Sequence, residues 1–512
     1  MPDPTMAAPE ACIVGWAHTP FGRAEAPDIE TLLAQVGRAA IEDAGISPAD
    51  IDAGFVGVFG EGFTNQGFPS SLILQSVPEL RFKPITRYEN ACATGTAAIH
   101  GALDFLAAKR GRFALVLGAE KMTATPGAQV GEILLNASYR KTEQDIQGGF
   151  AGVFGRIAEA YFQRHGDQSD ALAAIAAKNH KNGVDNPYAQ MRKDLGFAFC
   201  RAESEKNPFV APPLKRTDCS LVSDGAAALI LTDAETAKAM QKAVRFRAAV
   251  QVNDFLPIAA RDIIRFEGPQ RAWQQALDQA GLSAVTDLSF VETHDCFTIA
   301  ELLEYEAMGL AKEGQGARAI LDGVTAADGK LPVNRSGGLK SKGHPIGATG
   351  ISMHVLTAMQ LTGTAGAMQL PKADIGGIFN MGGAAVANYV SILRARLRGR
   401  EGFALPEPTR RSQPSQLSSR SMTCSGCSCC TQWPAPSTRC TPCILVQASS
   451  RMRRSAPGVC STPQSLPPAM KIEGTSMVRP AKTCASASNS PVVRQRYHCS
   501  PPWKPVRPYS SA

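Results

Sequence analysis

Three short segments carry side chains able to attack or activate a carbonyl carbon. In ENACATGTAAIHGALDFLAA (residues 89–108), Cys92 follows an extended stretch and stands at the mouth of a helix rich in small residues. Free backbone N–H groups and the helix dipole at such a place favour a thiolate. An inert core cysteine is the competing reading, because free cysteines are commonly buried. In GHPIGATG (343–350), glycines on both sides of His344 imply a tight loop that projects the imidazole, with Pro345 opening the next helix. A histidine satisfied within its loop is the alternative. In VETHDCFT (291–298), His294 and Cys296 fall within three residues at the carboxyl end of an expected strand, where ligands bind in open α/β sheets. A cysteine activated by a histidine is a recurring nucleophile, and a second histidine can hold an oxyanion.

The elements that must position these groups read as alternating strands and helices. Strands are expected at 11–15, 55–59, 113–118, 226–232 and 288–291, and helices at 29–44, 92–109 and 299–308. That alternation argues an α/β fold with mixed or parallel sheets. Residues 122–222 break the rhythm with helical stretches at 154–163 and 169–181 and with polar, proline-bearing loops, which suggests an inserted cap over the site. The second half repeats the first: AIEDAGISPAD (40–50) and ALDQAGLSAVT (276–286) lie 236 residues apart, each a helix end, an Ala-Gly stop and a turn before an apolar strand. The segments around Cys92 and His344 match in the same way, a reactive side chain before a helix of small residues. Internal duplication of α/β units accounts for both parallels.

With NACATG, GAEKM (118–122), KNHKNGVDNPYAQ (178–190), SDGAAA (223–228), HDCF and GHPIGATG on one chain, residues 10–396 resemble the thiolase family. The resemblance implies a thiolase fold. Two duplicated βαβαβαββ halves form five layers, α-β-α-β-α, with an inserted loop domain. The expected boundaries are 1–235 for the N-terminal half, 236–397 for the C-terminal half and 398–512 for a tail. It also implies that Cys92 is acylated, that His344 activates it and shares an oxyanion hole, and that His294 takes the place of an asparagine that positions a water in common thiolases. Those enzymes carry a second catalytic cysteine in a C-x-G motif. Here the place reads Asn380-Met381-Gly382-Gly383. In this respect the chain is similar to the sterol-carrier-protein-type branch, whose HDCF cysteine moves the α-proton, a role that would fall to Cys296.

The implied activity is condensation of two acyl-CoA molecules, or cleavage of a 3-ketoacyl-CoA by CoA as in fatty acid β-oxidation. CoA would be substrate and product, with no tightly bound cofactor, and the protein a homodimer or homotetramer. A decarboxylating ketosynthase and a non-catalytic acyl-CoA or lipid-binding protein are the alternatives. His180, Lys340 and Lys342 are weak candidates for CoA contacts, and solvated surface positions are equally open to them. Cys12, Cys200, Cys219, His100 and His354 read as structural.

Composition divides the 512 residues near position 400. From Glu401 onward there are 14 Lys+Arg against 3 Asp+Glu, leaving the first 400 residues at −3 within the overall +8. A basic nucleic-acid surface on the folded body is therefore not expected. Nine of the 14 cysteines fall in the tail, whose Ser/Pro/Arg-rich composition suggests disorder or a reading-frame artefact. Cys424, Cys427, Cys440 and Cys443 offer a CxxC-x12-CxxC zinc pattern. No motif in the body has zinc-ligand spacing, so no metal is expected there. Five scattered body cysteines suit a reducing cytoplasm. The start lacks a signal-peptide pattern, and no run of about 18 apolar residues suggests a membrane span.

Overall fold

The first strand, β1 (Ala11–His18), leads into α1 (Ile29–Ala44), and the rest follows the expected alternation. In the computed structural model, residues 8–60 and 62–395 are described. The tail, with its four-cysteine zinc pattern, lies outside the described residues. Asp28 caps α1 by accepting a hydrogen bond from Thr31, and Gly45 ends it in the left-handed conformation at φ 68°. The first half continues through β2 (Ala53–Gly57), α2 (Pro69–Leu72), β3 (Ile85–Tyr88), α3 (Thr94–Ala107) and β4 (Phe113–Glu120). An insertion follows, with α4 (Gly127–Leu134), α5 (Arg140–Glu143), α6 (Phe150–His165), α7 (Ser169–Gly183), α8 (Phe197–Arg201) and the small β5 (Phe209–Ala211)–β6 (Leu214–Lys215) ladder. Then β7 (Gly225–Asp233) closes the half.

The second half runs β8 (Val244–Asn253), α9 (Glu267–Ala280), β9 (Phe290–Glu292), α10 (Thr298–Ala307), α11 (Gly316–Leu321), α12 (Gly338–Lys342), α13 (Ile346–Thr362), β10 (Ile375–Gly382) and β11 (Ala387–Ala395). Gly281 ends α9 at φ 70°, in the same left-handed cap as Gly45 236 residues earlier.

The strand order shows the duplication directly. Nine strands lie in the order β3-β2-β4-β7-β1-β8-β11-β10-β9. In the first half β1 pairs antiparallel with β7, β7 antiparallel with β4, and β4 parallel with β2, which is parallel to β3. The second half repeats this, with β8 antiparallel to β11, β11 antiparallel to β10, β10 parallel to β9, and Val291 bridging in parallel to Val333 where a third parallel strand would lie. The halves meet at Cys12–Arg245 and Ile13–Val244 in the β1–β8 pairing.

Alternation along β4 explains its unbroken apolar run, FALVLGAE. Phe113, Leu115, Leu117 and Ala119 share a core with Leu32, Leu33 and Val36 of α1, whereas Ala114 and Val116 pack with Ala98, Ile99 and Ala102 of α3. Helix α9 packs on β8 and β11, and α13 lies against α3 while touching strands of both halves. The five layers are thus α1, the first-half strands, α3 with α13, the second-half strands, and α9.

At the centre the backbones approach closely. A Cβ built on Gly118 would lie 2.3 Å from the Gly347 carbonyl oxygen, and one on Gly347 would lie 2.5 Å from the carbonyl oxygens of both Gly57 and Ala119. Glycine at these positions brings the amino ends of α3 and α13 together. Gly118→Ala is expected to lower stability by about 1–3 kcal/mol, the range for overpacking a tight core, read as a lower urea midpoint with an unchanged slope. A midpoint equal to that of the unmodified protein would show that the crossing can open without cost.

Candidate active site

Cys92 lies in a turn two residues before α3 rather than within the helix. Ala91 holds φ 48°, a left-handed conformation costly for alanine. Side-chain bonds hold the turn: Asn90 N–H donates to Thr94 Oγ1 at 2.8 Å, Asn90 Nδ2 donates to Tyr389 Oη at 2.8 Å, and Ala91 N–H donates to Glu89 Oε1. His344 likewise sits two residues before α13. Its N–H donates to Ser223 Oγ at 3.0 Å, and its loop is paired to the insertion by Gln190 N–H to Lys342 O and Met191 N–H to Ser341 O. His294 and Cys296 follow β9, in the loop leading to α10.

The fold brings these segments to one place. One ring nitrogen each of His294 and His344 and the Cys92 sulfur all lie within 4.8 Å of one another. The two imidazoles meet edge-on, with centroids 5.1 Å apart at 83°. Cys92, Cys296 and His344 line one cleft. Its walls are apolar: Phe59 from the first half, Leu134 and Phe150 from the insertion, and Phe297 and Ile346 from the second half. Three ligand-capable groups thus gather from segments far apart in sequence, which an argument from spacing within single motifs could not detect.

Burial overrides the helix-terminus effect at Cys92. Desolvation, helped by the Glu89 and Glu120 charges, pushes its thiol up to about 12, against the opposing hydrogen bond from the Gly383 N–H. The thiolate expected from the position before a helix is therefore corrected to a neutral thiol at rest. Cys296 is pushed well above the ordinary thiol value, first by burial and then by Cys92 and Glu304. Burial, then the nearby Lys342 charge, lowers His344 to about 3, and burial, then His344 and Lys342, lowers His294 well below the ordinary value. All four groups are neutral near pH 7.

The donors and acceptors around each ring define its tautomer. Thr349 Oγ1 spends its proton on Pro345 O at 2.9 Å, so at 2.7 Å it accepts from His344 Nδ1–H. His344 Nε2 is left as a buried lone pair without a protein partner. Next to the sulfur, that is the geometry of a general base.

Buried carboxylates hold the surrounding loops. Glu120 accepts from the N–H groups of Phe59 and Gly60 at 3.0 Å and of Gly347 at 3.1 Å, and burial raises it to about 7. Asp224 ties Met122 and Thr123 to the base of the insertion, and Asp295 accepts from the N–H groups of Leu339 and Lys340 at the start of α12. Asn182 and Asn186 hold the backbone of Asn334 and Ser336. These residues lie inside motifs visible in the sequence, but nothing in their spacing separates loop-holding from chemistry.

The weak CoA candidates are placed in the interior. His180 is fully buried in α7, and Lys340 and Lys342 are 2% and 0% exposed. Lys342 Nζ donates to Ser352 Oγ at 2.9 Å. Their burial sets both lysines apart from the solvated surface cations that CoA phosphates meet. Of the residues read as structural, Cys12, Cys200 and Cys219 form no disulfide and are not among the cleft-lining residues. His354 is bonded at both ring nitrogens, to Gly350 O and Ser391 Oγ.

Residues 11–235 match the family described as thiolase, N-terminal domain, and residues 251–395 match thiolase C-terminal domain-like. The chain belongs to the thiolase family. It is 35% identical over 381 residues to an acetyl-CoA acetyltransferase of Methanothermobacter thermautotrophicus, covering 73% of this chain and 96% of that one. It is 32% identical over 394 residues to human sterol carrier protein 2, covering 72% and 69%. The same fold recurs in the solved Ltp2-ChsH2(DUF35) aldolase, with a TM-score of 0.65 and 20% identity over 76% of this chain and 98% of that one. Among the described residues no helix is long and apolar enough to cross a membrane.

A neutral buried thiol should react with iodoacetamide at a rate that keeps climbing with pH, about tenfold per unit through pH 9, because only the thiolate attacks. Mass spectrometry of the Cys92 peptide checks this. A plateau near pH 7–8 would instead reveal a preformed thiolate–imidazolium pair.

Proposed function

We propose that this thiolase family member is an acyltransferase that condenses two acyl-CoA molecules, or cleaves a 3-ketoacyl-CoA with CoA, through an acyl-Cys92 intermediate. The observation that carries the reading is the meeting of Cys92, His294 and His344 within 4.8 Å, at an apolar cleft that Cys92 and His344 line together with Cys296. Relatives named acetyl-CoA acetyltransferase support the same chemistry.

The resting protonation states define a balanced sequence. As Cys92 sulfur bonds to the thioester carbon, its proton passes to the His344 Nε2 lone pair. The carbonyl oxygen gains charge facing His294. Cys296–SH protonates the departing CoA thiolate and becomes a thiolate itself. That thiolate removes the α-proton of the second acyl-CoA, whose enolate carbon attacks the acyl-Cys92 carbonyl. Cys92 sulfur leaves and recovers its proton from His344. Cleavage runs through the same steps in reverse. Cys296 supplies a second acid/base distinct from the acylated thiol, which enolate chemistry requires and which Asn380 cannot provide at the position of the missing C-x-G cysteine.

A binding protein without catalysis would have no need of two thiols and two unsolvated imidazoles within one apolar pocket. The lining by Phe59, Phe150 and Phe297 supports an apolar acyl group. CoA acts as substrate and product. Five free cysteines among the described residues support a reducing compartment such as the cytoplasm. Among the described residues strand β3 ends the sheet with no strand paired on its outer side, and Phe82 just before it is 89% exposed. This supports a homodimer or homotetramer built over that edge.

CoA-dependent cleavage of acetoacetyl-CoA and of longer 3-ketoacyl-CoA tests the reading. Wild type should turn over, Cys92→Ala should fall to background, and Cys296→Ala should lose about 100- to 10,000-fold in kcat, the range for a missing acid/base. Cleavage undiminished in Cys296→Ala would remove that residue from the mechanism. Light scattering should give a multiple of the chain mass, and a monomer would overturn the assembly.

A further inference from the structure

His294 and His344 face the same sulfur, yet the thiolase reading requires opposite duties of them. One must accept a proton and the other must donate a hydrogen bond. Both are wholly or nearly buried, and both present an Nε2 with no protein partner. Chemistry alone does not decide which imidazole does which, because a neutral ring can carry its proton on either nitrogen. For His344 the decision comes from Thr349, as described. For His294 it comes from a side chain that the sequence marks only as the absence of a cysteine.

Asn380 lies near the end of β10, with its amide between the halves. Its Oδ1 accepts from Thr96 Oγ1 at 2.6 Å, and its Nδ2 donates to the Cys92 carbonyl oxygen at 3.2 Å. A carbonyl oxygen can only accept, so the amide cannot be flipped. The same Nδ2 lies 2.9 Å from His294 Nδ1. An amide nitrogen has no lone pair to offer, so Nδ1 must be the acceptor, and the ring proton is left on Nε2, which has no protein partner. We infer that Asn380 is a positioning residue that locks His294 in its Nε2–H tautomer, making it an oxyanion donor and denying the Cys92–His294–His344 cluster its third metal ligand.

The second consequence follows from the same geometry. The Cys92 sulfur and one ring nitrogen each of His294 and His344 lie within 4.8 Å of one another, and with a thiolate and two free imidazole lone pairs such a set would be a three-ligand site with an open position, the arrangement that binds zinc. A ring that binds zinc through Nε2 must carry its proton on Nδ1, and that proton would point at the Asn380 amide hydrogens. Asn380 therefore keeps the nucleophile available while leaving the two histidines chemically unlike.

The kinetic consequence rests on the thiolase reading, whereas the tautomer does not, so the test separates them. In the full chain labelled with 15N at its eight histidines, the His294 ring is identified by its loss in His294→Gln. It should show a protonated Nε2 and an unprotonated Nδ1, the reverse of His344. A protonated Nδ1 on His294 in the wild type would overturn the inference whether or not the protein is active. In Asn380→Asp the carboxylate accepts from Nδ1–H, so the pattern should invert. Zinc should then protect Cys92 from alkylation at about 10- to 100-fold lower concentration, the size of effect typical of partners behind a metal ligand. If zinc protection in Asn380→Asp equals that in wild type, the guarding role is wrong. For 3-ketoacyl-CoA cleavage, Asn380→Asp should lose about 100- to 1000-fold in kcat, as for one oxyanion donor, with KM nearly unchanged. Asn380→Ala frees the ring to adopt either tautomer and should be less impaired than Asn380→Asp. A purely packing role predicts the opposite order, because aspartate preserves the shape.

Discussion

A close backbone contact between the two halves is the constraint on which the site depends. With Gly347 O facing Gly118, Gly95 and Gly57, helices α3 and α13 cross without side chains between them. Each helix is preceded by a reactive residue, Cys92 two positions before α3 and His344 two positions before α13. The duplication makes these positions equivalent, and the crossing turns that equivalence into contact. A larger residue at the crossing would separate the helix mouths, and the thiol and imidazole with them. Close packing of small residues is thus a condition of the chemistry as well as of stability.

Burial is the second organising effect, and it outweighs the local electrostatics of the helix ends. The same desolvation that holds Cys92 and Cys296 as thiols holds His294 and His344 as neutral imidazoles. Lys342, itself buried, reinforces the neutrality of His344. A resting site without net charge admits an apolar acyl group and postpones charge separation until the thioester is present. The interior carboxylates serve a different end. Glu120, Asp224 and Asp295 each accept several backbone N–H groups and so hold the loops that bear Phe59, Thr123 and α12.

The polar network behind the reactive groups joins the halves as firmly as the glycines do. Thr96 from α3, Asn380 from β10 and His294 after β9 form one hydrogen-bonded line that ends on the Cys92 carbonyl. Thr349 performs the matching task for His344. In each case an uncharged side chain with a defined donor or acceptor sets the state of a histidine, so the site needs no buried ion to tell its two imidazoles apart.

Much of this was legible in the order of residues. The alternation of apolar runs and helical spacing marks the α/β units, and α1 falls at 29–44 because Asp28 and Gly45 are strong local signals. The repeated Ala-Gly stops reveal the duplication, and the four reactive residues stand in motifs of unusual composition. These are short-range properties, carried by periodicity, caps and turn residues. What only the tertiary structure decided is which of these groups meet and in which protonation state. Cys92 was expected as a thiolate from its place before a helix, but depth of burial is not a local property. Lys340 and Lys342 look like surface cations in sequence, yet α12 is buried and packs against α7 of the insertion. Asn380 reads as a missing cysteine until its amide is seen between Thr96, Cys92 and His294. Hydrogen-bond direction, desolvation and tautomer depend on neighbours up to 288 residues away, and no spacing along the chain encodes them.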